Sequence, residues 1–545
     1  MEEQQPLQEK KINIWLPFLL SMMMVGGMLV GSKLNQKEPA TKIVIENNDG
    51  QNLIGQGRIE ELIRYIEAKY VDKIDGEDLV EEAIIALLGD LDPHSVYMTS
   101  EQVREADEQL EGSFVGIGIE YLLLGDTIAV LEAIEDGPAK EAGLRSGDRI
   151  VAVYDATLSN DSLAMIDVVK KLRGKKGSDV DVGVLRRGSK EIKRINIRRD
   201  RIPIHSVDTH YMLTDKTGYV KVNKFSSTTF DEFMDAVDDM VINNKMEHLV
   251  IDLRQNGGGY LNEAIKMLNQ IFKEQNKMLV YTEGRSVKRD EYHSAGKIIH
   301  PIDKVVILID ENSASASEIV AGAIQDWDRG LVIGRRSYGK GLVQEQYKLK
   351  DGSALRLTVA RYYTPSGRSI QREYKDNERY HQYVSDRLDS GELTGENVAT
   401  QVDSSIFYTS GGREVFSGGG ISPDIFIPID SALLNEKFNK IINRINPFIF
   451  RYIESHDIDL KPDSFLEKFV ISDDMWDAFG RSLKAEEIDL DLNENLEKEV
   501  KQRLKSRLAR HLLKDEMFYR TINHNDKMIL KTLEEINDNP LLSKN

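Results

Sequence analysis

Serine and lysine residues that could act together in catalysis lie in one stretch, from Asn312 to Gln344. Alternating serines and alanines centred on Ser315 begin the stretch, and Lys340 stands between two glycines near its end. A serine hydroxyl becomes a nucleophile when a base removes its proton, and lysine can be that base when burial keeps its amine neutral. Ser-Lys pairs are a known variant of serine-protease chemistry. We therefore interpret Ser315 and Lys340 as a candidate nucleophile and base.

The serines stand where a helix is expected to begin. Apolar residues follow them at helical spacing: Ile319, Ala323, Ile324 and Trp327. This spacing predicts a helix from about Ser317, which places Ser315 at its N-terminus, where free amides favour a developing oxyanion. The alternative is purely structural, because Ser315 and Glu318 also form the pattern of a capping box.

A phosphate-binding loop is a second interpretation of the same stretch. Gly334 and Gly339-Lys340 satisfy most of the pattern GxxxxGK[ST]. However, the next residue is Gly341, which has no hydroxyl for a metal ion, and LVQEQYKL after it indicates a strand rather than the required helix. We therefore reject a nucleotide loop.

The motifs SASASEI and GKGLVQ resemble those of the carboxyl-terminal processing peptidases, also called tail-specific proteases. The resemblance implies that Ser315 is the nucleophile, that Lys340 is the general base, and that Gln344 orients the lysine. It also implies an endopeptidase that needs no metal or cofactor.

A glycine triplet, Gly257 to Gly259, separates the strand-like EHLVIDLR from the helical pattern YLNEAIKMLNQIF. Glycines at such a turn let the backbone approach a ligand closely, and phosphate binding or a plain helix-entry turn are the alternatives. In the family that the chain resembles, this motif lends an amide to the oxyanion hole. The implied donors are Ala316 and one glycine of the triplet, Gly258 or Gly259.

Residues 113–200 resemble a PDZ domain. The segment Gly116-Ile117-Gly118-Ile119 matches the loop whose amides hold a peptide's terminal carboxylate. Three further glycine motifs follow in the expected order: Gly137-Pro138-Ala139, Ala142-Gly143-Leu144 and Gly147-Asp148-Arg149-Ile150. The resemblance implies protein or peptide partners with free C-termini.

Composition excludes several other classes of function. The 545 residues have a formal net charge of -19, which argues against nucleic-acid binding. The chain has no cysteine, which excludes disulfides and thiol catalysis. Its ten histidines show no spacing typical of metal ligands, so we expect no metal site.

The N-terminus predicts a membrane anchor. Residues 1–11 are polar and end in two lysines, which predicts a cytoplasmic tail, and residues 12–31 form an uncharged stretch long enough to cross a bilayer. A cleaved signal peptide is the alternative. Residues 32–57 indicate a linker. We expect the catalytic part outside the cytoplasm, on the periplasmic side of an inner membrane.

The whole pattern predicts a multidomain α/β protein. After the anchor and linker come a small helical region (58–112), the PDZ domain (113–200), an α/β protease core (201–430) and a C-terminal helical extension (431–545). We interpret His94 and Ser95 as a turn after a proline. Residues near 375–410 are polar and predict a surface excursion, and the extension could pack on the core or mediate assembly.

The predicted function is a serine endopeptidase that captures the C-terminus of a substrate protein and cuts near it. The alternative is a membrane-tethered PDZ adaptor with an inactive core. An acyl-group hydrolase is disfavoured by the PDZ motifs. A homo-oligomer or a separate adaptor protein is a further possible partner.

Overall fold

The computed structural model describes residues 57–124, 127–158, 170–374, 377–397, 405–458 and 460–543. The predicted tail, the predicted membrane segment 12–31 and nearly all of the linker lie outside these ranges. Within them, no helix combines the length and the apolar character that a membrane crossing requires. The membrane anchor therefore stays a prediction.

The chain divides into two units, residues 1–80 and 81–545. In the first unit, the structure describes helix α1 (Arg58–Lys69) and the beginning of helix α2 (Gly76–Gly89). Helix α1 is amphipathic, and its apolar side chains Ile59 and Leu62 are exposed. The described part of this unit is mainly helical, as the sequence predicts.

The second unit contains strands and helices up to residue 430 and is mostly helical after it. The strands are β1 Val96–Met98, β2 Ser113–Gly116, β3 Ile119–Leu124, β4 Thr127–Ala133, β5 Arg149–Val153, β6 Ala156–Thr157, β7 Asp179–Leu185, β8 Ile192–Arg198, β9 Asp200–Pro203, β10 Val207–Met212, β11 Thr217–Val222, β12 His248–Asp252, β13 Gln275–Glu283, β14 Asp290–Ala295, β15 Val305–Ile309, β16 Leu331–Gly334, β17 Leu342–Lys348, β18 Ala354–Tyr363, β19 Ile406–Tyr408, β20 Glu414–Phe416 and β21 Ile425–Phe426. The helices are α3 Ser100–Glu111, α4 Pro138–Glu141, α5 Thr229–Asn244, α6 Leu261–Ile271, α7 Ala316–Asp326, α8 Asn377–Asp389, α9 Glu436–Ile442, α10 Ile445–Ser455, α11 Pro462–Lys468, α12 Asp473–Lys484, α13 Glu494–Asn523 and α14 Lys527–Asp538, with short 3-10 helices at Ser431–Leu434 and Pro540–Ser543.

A six-stranded sheet forms the centre of the predicted protease core, in the order β10-β11-β12-β15-β16-β21. All pairings are parallel except that of β10 with β11. Every residue of β15 is buried, which explains its continuous apolar run, because parallel sheets are covered on both faces. The strands predicted around KTGYVKVNKF and EHLVIDLR are confirmed as β11 and β12.

Helices cover both faces of this sheet, and alternate residues of β12 show which helices cover which face. Ile251 lies in the core that the sheet forms with α5, α6 and α7. Val250 lies in a second core, to which α14 contributes Met528 and Ile536. The C-terminal extension, for which the sequence left packing or assembly open, therefore provides one layer of the core.

A buried ion network joins the same helix to the sheet. Asp526 is the N-cap of α14, and its carboxylate accepts a hydrogen bond from Arg254 Nη1 at 2.7 Å. Arg254 also donates to the buried Asp252 at the end of β12, with 2.6 Å between Nη2 and Oδ2. The turn that leads to the glycine triplet is therefore tied to the C-terminal extension.

A second, antiparallel sheet has the order β1-β18-β13-β14, and β17 also pairs with β18. Strand β17 begins directly after the loop that carries Lys340 and Gly341. Strand β1 lies inside the region predicted to be helical, 58–112, and its pairing with β18 attaches the end of that region to the core. The sequence did not reveal this strand because it has only three residues.

The predicted PDZ domain forms a sheet in the order β3-β4-β5-β7-β8, together with the two-stranded pair β2-β9. Alternating apolar residues such as Ile128, Val130 and Val182 fill its core. On the sheet, Leu124 and Ala129 pack against Phe450 of helix α10. The C-terminal extension therefore contacts the PDZ domain as well as the protease core.

The stretch near 375–410, predicted to be a surface excursion, is partly internal. In residues 377–397, which we call the clamp segment, Tyr380, Arg387 and Leu393 are only 3%, 3% and 2% exposed. The prediction was wrong for this part because tyrosine and arginine can be buried when their polar atoms find partners.

Candidate active site

Ser315 stands on a sharp turn between strand β15 and helix α7. Its φ and ψ are 55° and -114°, an uncommon backbone conformation for a residue other than glycine, and such strain is typical of functional sites. Two long-range hydrogen bonds fix the turn: Ser313 Oγ donates to Leu253 O at 2.8 Å, and the Ala314 amide donates to Asn256 O at 2.9 Å. The turn therefore presents Ser315 beside the loop that follows β12.

Glu318 joins the serine turn to the lysine loop. Its buried Oε2 accepts the backbone amides of Ser315 at 2.8 Å and Lys340 at 2.9 Å. Its Oε1 accepts the Gly339 amide at 2.7 Å and the Ser337 hydroxyl at 2.5 Å. Burial raises the pKa of Glu318 to about 7, although the four donors favour its ionised form. One carboxylate thus holds both candidate residues.

Tyr362 forms a second bridge between the same two residues. Its hydroxyl lies within hydrogen-bonding distance of the carbonyl oxygens of Ser315, at 3.1 Å, and Lys340. The tyrosine is buried on strand β18, and burial raises its pKa well above the usual value, so the hydroxyl remains a donor. The serine turn and the lysine loop are therefore held together through both their amides and their carbonyls.

Lys340 extends its amine toward strand β17. Its Nζ donates to Gln344 Oε1 at 2.9 Å, and Gln344 Nε2 donates to the carbonyl oxygen of His94. Burial, and secondarily the nearby charge of Arg356, lower the pKa of Lys340 to about 8. Among the residues that the structure describes, no hydrogen bond joins Ser315 Oγ to Lys340 Nζ. Such bonds often tighten only when substrate binds.

The glycine triplet lies directly against the serine turn. A Cβ placed on Gly258 would be 2.7 Å from Ser315 Cβ and 3.0 Å from Ala316 N, so only glycine fits there. The Gly258 amide donates to Asn256 Oδ1 at 2.8 Å and is therefore engaged. In the described part of the chain, the amides of Ala316 and Gly259 donate to no acceptor. These two amides are the better oxyanion-hole candidates.

The predicted carboxylate-binding loop lies at the start of strand β3 in the PDZ domain. Gly116 ends β2, Gly118 has a φ of 76°, and Ile119 begins β3. The carbonyls of Ile117 and Gly118 accept the amides of Ala139 and Ile134, at 2.8 and 3.0 Å. Among described residues, the amides of Ile117 and Gly118 have no acceptor, as a carboxylate-binding loop requires.

Three family models match the chain. The model of peptidase family S41 matches residues 216–377, the PDZ domain model matches 115–197, and the model named activating protease CtpB N-terminal domain matches 22–102. A carboxy-terminal-processing protease of Bartonella bacilliformis is 36% identical over 333 residues, which are 60% of this chain and 75% of that protein. The chain belongs to the carboxy-terminal-processing proteases of peptidase family S41.

Other relatives of this protease carry related names. A probable CtpA-like serine protease of Staphylococcus aureus strain N315 is 36% identical over 333 residues, covering 60% of this chain and 64% of its own length. The solved photosystem II D1 C-terminal processing protease is 26% identical, with 68% of this chain and 88% of that chain covered and a TM-score of 0.35. The protease is therefore a serine-type peptidase with a PDZ domain.

The structure of this protease brings one group of predicted residues together. Ser315 and Ala316 lie against the glycine triplet, and Glu318 links Lys340 to the serine turn. Gln344 is bonded to Lys340, whereas the Gly116–Ile119 loop belongs to the PDZ domain. Among the described residues, no group of three or more histidine, cysteine, aspartate or glutamate side chains is arranged to hold a metal ion.

Sequence reasoning missed three positioning residues of this protease. Glu318 gave a signal, because the capping-box spacing placed it three residues after Ser315, but that signal suggested only a helix cap. His94 was confirmed in a turn, since its amide donates to Asp92 Oδ1 at 2.8 Å, yet its carbonyl serves Gln344. Tyr362 gave no signal, since it reads as an ordinary strand residue.

Proposed function

We propose that this protease is an endopeptidase in which Ser315 is the nucleophile and Lys340 the general base. Neutral Lys340 takes the Ser315 hydroxyl proton while Oγ forms a bond to the scissile carbonyl carbon. The amides of Ala316 and Gly259 hold the resulting oxyanion. Collapse breaks the C–N bond, and the lysine ammonium gives its proton to the leaving amine.

Water then releases the acyl group. Lys340, neutral again, takes a proton from the attacking water, and the proton returns to Ser315 Oγ as the ester bond breaks. The observation that carries the proposal is the Glu318 carboxylate oxygen that accepts the amides of both Ser315 and Lys340. No purely structural capping interaction would need the second of these bonds.

The PDZ domain is proposed to select substrates by their C-termini. The free amides of Ile117 and Gly118 support a carboxylate site, and the outer edge of β3 is available for a peptide strand among the described residues. The proposed partners are proteins with accessible C-terminal tails. We further propose that residues 12–31 anchor the protease in the membrane, with the catalytic part on the periplasmic side.

The first test compares Ser315→Ala and Lys340→Ala with Lys348→Ala, which removes an exposed lysine from the neighbouring strand. The two active-site variants are expected to lose at least about a thousandfold in kcat/KM on an unstructured polypeptide, because nucleophile or base is gone. Lys348→Ala should cleave like wild type. Substantial cleavage by purified Ser315→Ala would overturn the nucleophile assignment.

Tail recognition is tested with the same polypeptide carrying either a free or an amidated C-terminus. Preferential cleavage of the free form is expected, since the loop amides bind a carboxylate. Equal cleavage of both forms would retain the peptidase and remove C-terminal recognition. Binding without cleavage of either form would favour the adaptor.

A further inference from the structure

A chain of hydrogen bonds runs from Lys340 to the clamp segment. Lys340 Nζ donates to Gln344 Oε1 at 2.9 Å, Gln344 Nε2 donates to His94 O, and the His94 ring lies 2.6 Å from the Tyr380 hydroxyl, measured from Nε2. The Gln344 amide is rigid, so anchoring its NH2 group on His94 aims its carbonyl at the lysine. The orientation of the amine therefore depends on where His94 is held.

The clamp segment also forms hydrogen bonds with the backbone of the lysine loop. Arg387 donates to the carbonyl oxygens of Arg336 at 2.8 Å and Ser337 at 3.2 Å. Glu392 of the clamp segment pairs with both Arg387 and Arg336. Arg336 donates two hydrogen bonds to its carboxylate, at 2.9 and 2.6 Å. These contacts add a second set of hydrogen bonds to the loop that Glu318 already holds.

Arg372, which is surrounded by three tyrosine rings, also connects the clamp segment to the lysine loop. The Arg372 amide donates to Gly339 O at 3.1 Å, and its guanidinium lies 3.9, 3.7 and 4.1 Å from the ring centres of Tyr338, Tyr380 and Tyr383. Its Nε and Nη1 are buried and have no hydrogen-bond partner in the described structure. The three rings therefore stabilise its charge, and two of them belong to the clamp segment.

We propose that the clamp segment positions the catalytic lysine, with Tyr380 as a positioning residue that acts through His94 and Gln344. The inference goes beyond the proposed function but depends on Lys340 being the base. Among the described residues, no hydrogen bond or ring contact joins the clamp segment to the Gly116–Ile119 loop of the PDZ domain. The effect of the clamp segment is on the rate of proton removal from Ser315, and not on the capture of the substrate tail.

Tyr380→Phe tests this role, because it removes the hydroxyl that meets His94 and keeps the ring over Arg372. We expect kcat to fall about five- to tenfold with KM within about twofold, as one positioning hydrogen bond is lost. Labelling of Ser315 by a small fluorophosphonate, which needs the base but no peptide binding, should slow by the same factor. Tyr408→Phe, the same change at an exposed tyrosine, should alter neither rate.

A double-mutant cycle with Gln344→Ala decides whether Tyr380 acts through Gln344. The double variant should label no more slowly than Gln344→Ala alone, since that substitution already removes the link between Tyr380 and Lys340. Full additivity, or wild-type labelling by Tyr380→Phe with an unchanged melting temperature, would overturn the inference. Labelling of Lys340→Ala separates the assignment of the base from the role of the clamp segment. If this variant labels at the wild-type rate, Lys340 is not the base. If it fails to label, the base assignment stands, and the double-mutant cycle then tests only the clamp segment.

Discussion

The turn that carries Ser315 and the loop that carries Lys340 are held in place by different means. The serine turn lies between a buried strand and a buried helix that adjoin it in sequence, β15 and α7. The lysine loop receives its partners from distant parts of the chain, among them Glu318, Arg387 and the carbonyl oxygen of Gly419 bonded to Arg336. The serine turn thus combines a local frame with two long-range hydrogen bonds, whereas the lysine loop depends mainly on tertiary contacts.

This difference predicts that the position of Lys340 is more sensitive to single substitutions than the position of Ser315. A change in the core around α7 must disturb close packing before it moves Ser315. By contrast, Lys340 is connected to the clamp segment, the His94 turn and Glu318 by only a few hydrogen bonds. Loss of one of them is therefore expected to move Lys340.

Among the residues that bridge the two regions, Glu318 should give the largest effect on substitution by glutamine, because it accepts four hydrogen bonds. A glutamine has one acceptor oxygen and leaves donors such as the Ser315 and Lys340 amides buried and unpaired, at about 1–3 kcal/mol each. We expect kcat to fall about a hundredfold or more, with a lower melting temperature. The matched control is Glu263→Gln, which alters another buried carboxylate on helix α6. Equal losses in both variants would mean that Glu318 contributes only stability.

The pH dependence of kcat/KM should distinguish the protonation of Lys340 from that of Glu318. Since the pKa of Lys340 is lowered to about 8, the neutral amine is lost as pH falls, and the rate should drop about tenfold per unit below that value. Glu318, with a pKa raised to about 7, then gains a proton and loses acceptors, so the slope should approach two below pH 7. A slope of one down to pH 6 would show that protonating Glu318 leaves the site intact.

Tyr362→Phe should have the smallest effect, because it removes one shared hydroxyl and leaves the Glu318 bridge in place. We expect kcat to fall about three- to fivefold, which corresponds to about 1 kcal/mol for one hydrogen bond. Tyr281→Phe on the adjacent strand β13 is the control. If Tyr362→Phe costs as much as Glu318→Gln, the carbonyl bridge and not the carboxylate is the main link between the two regions.

The same contrast explains how much could be predicted from the sequence. The strand, the serine turn and helix α7 follow from local patterns, and the helix begins at Ala316, one residue from the predicted start. The roles of Gln344 and of the glycine triplet came from the family resemblance, and the structure places Gln344 on Lys340 and the triplet against the serine turn.

The partners of the lysine loop could not be predicted in this way. Tyr380, Arg387 and Glu392 lie in a polar stretch whose composition indicates a surface, and periodicity does not reveal that polar groups pair inside. The role of His94 is carried by a backbone carbonyl, which has no residue signature. The helical extension 431–545 was predicted, but an amphipathic pattern does not tell which surface a helix such as α14 covers.

The covering of the sheet by α14 has a consequence for how the protein is made. During synthesis, Ser315 and Lys340 are both present long before residues 527–542 emerge, yet one face of the sheet stays uncovered until then. Until then, Arg254, which precedes the glycine triplet, also lacks its ion-pair partner Asp526. A growing chain therefore contains Ser315, Lys340 and a complete PDZ domain before the sheet is covered, so we expect the core to finish folding only when the last helix has been made.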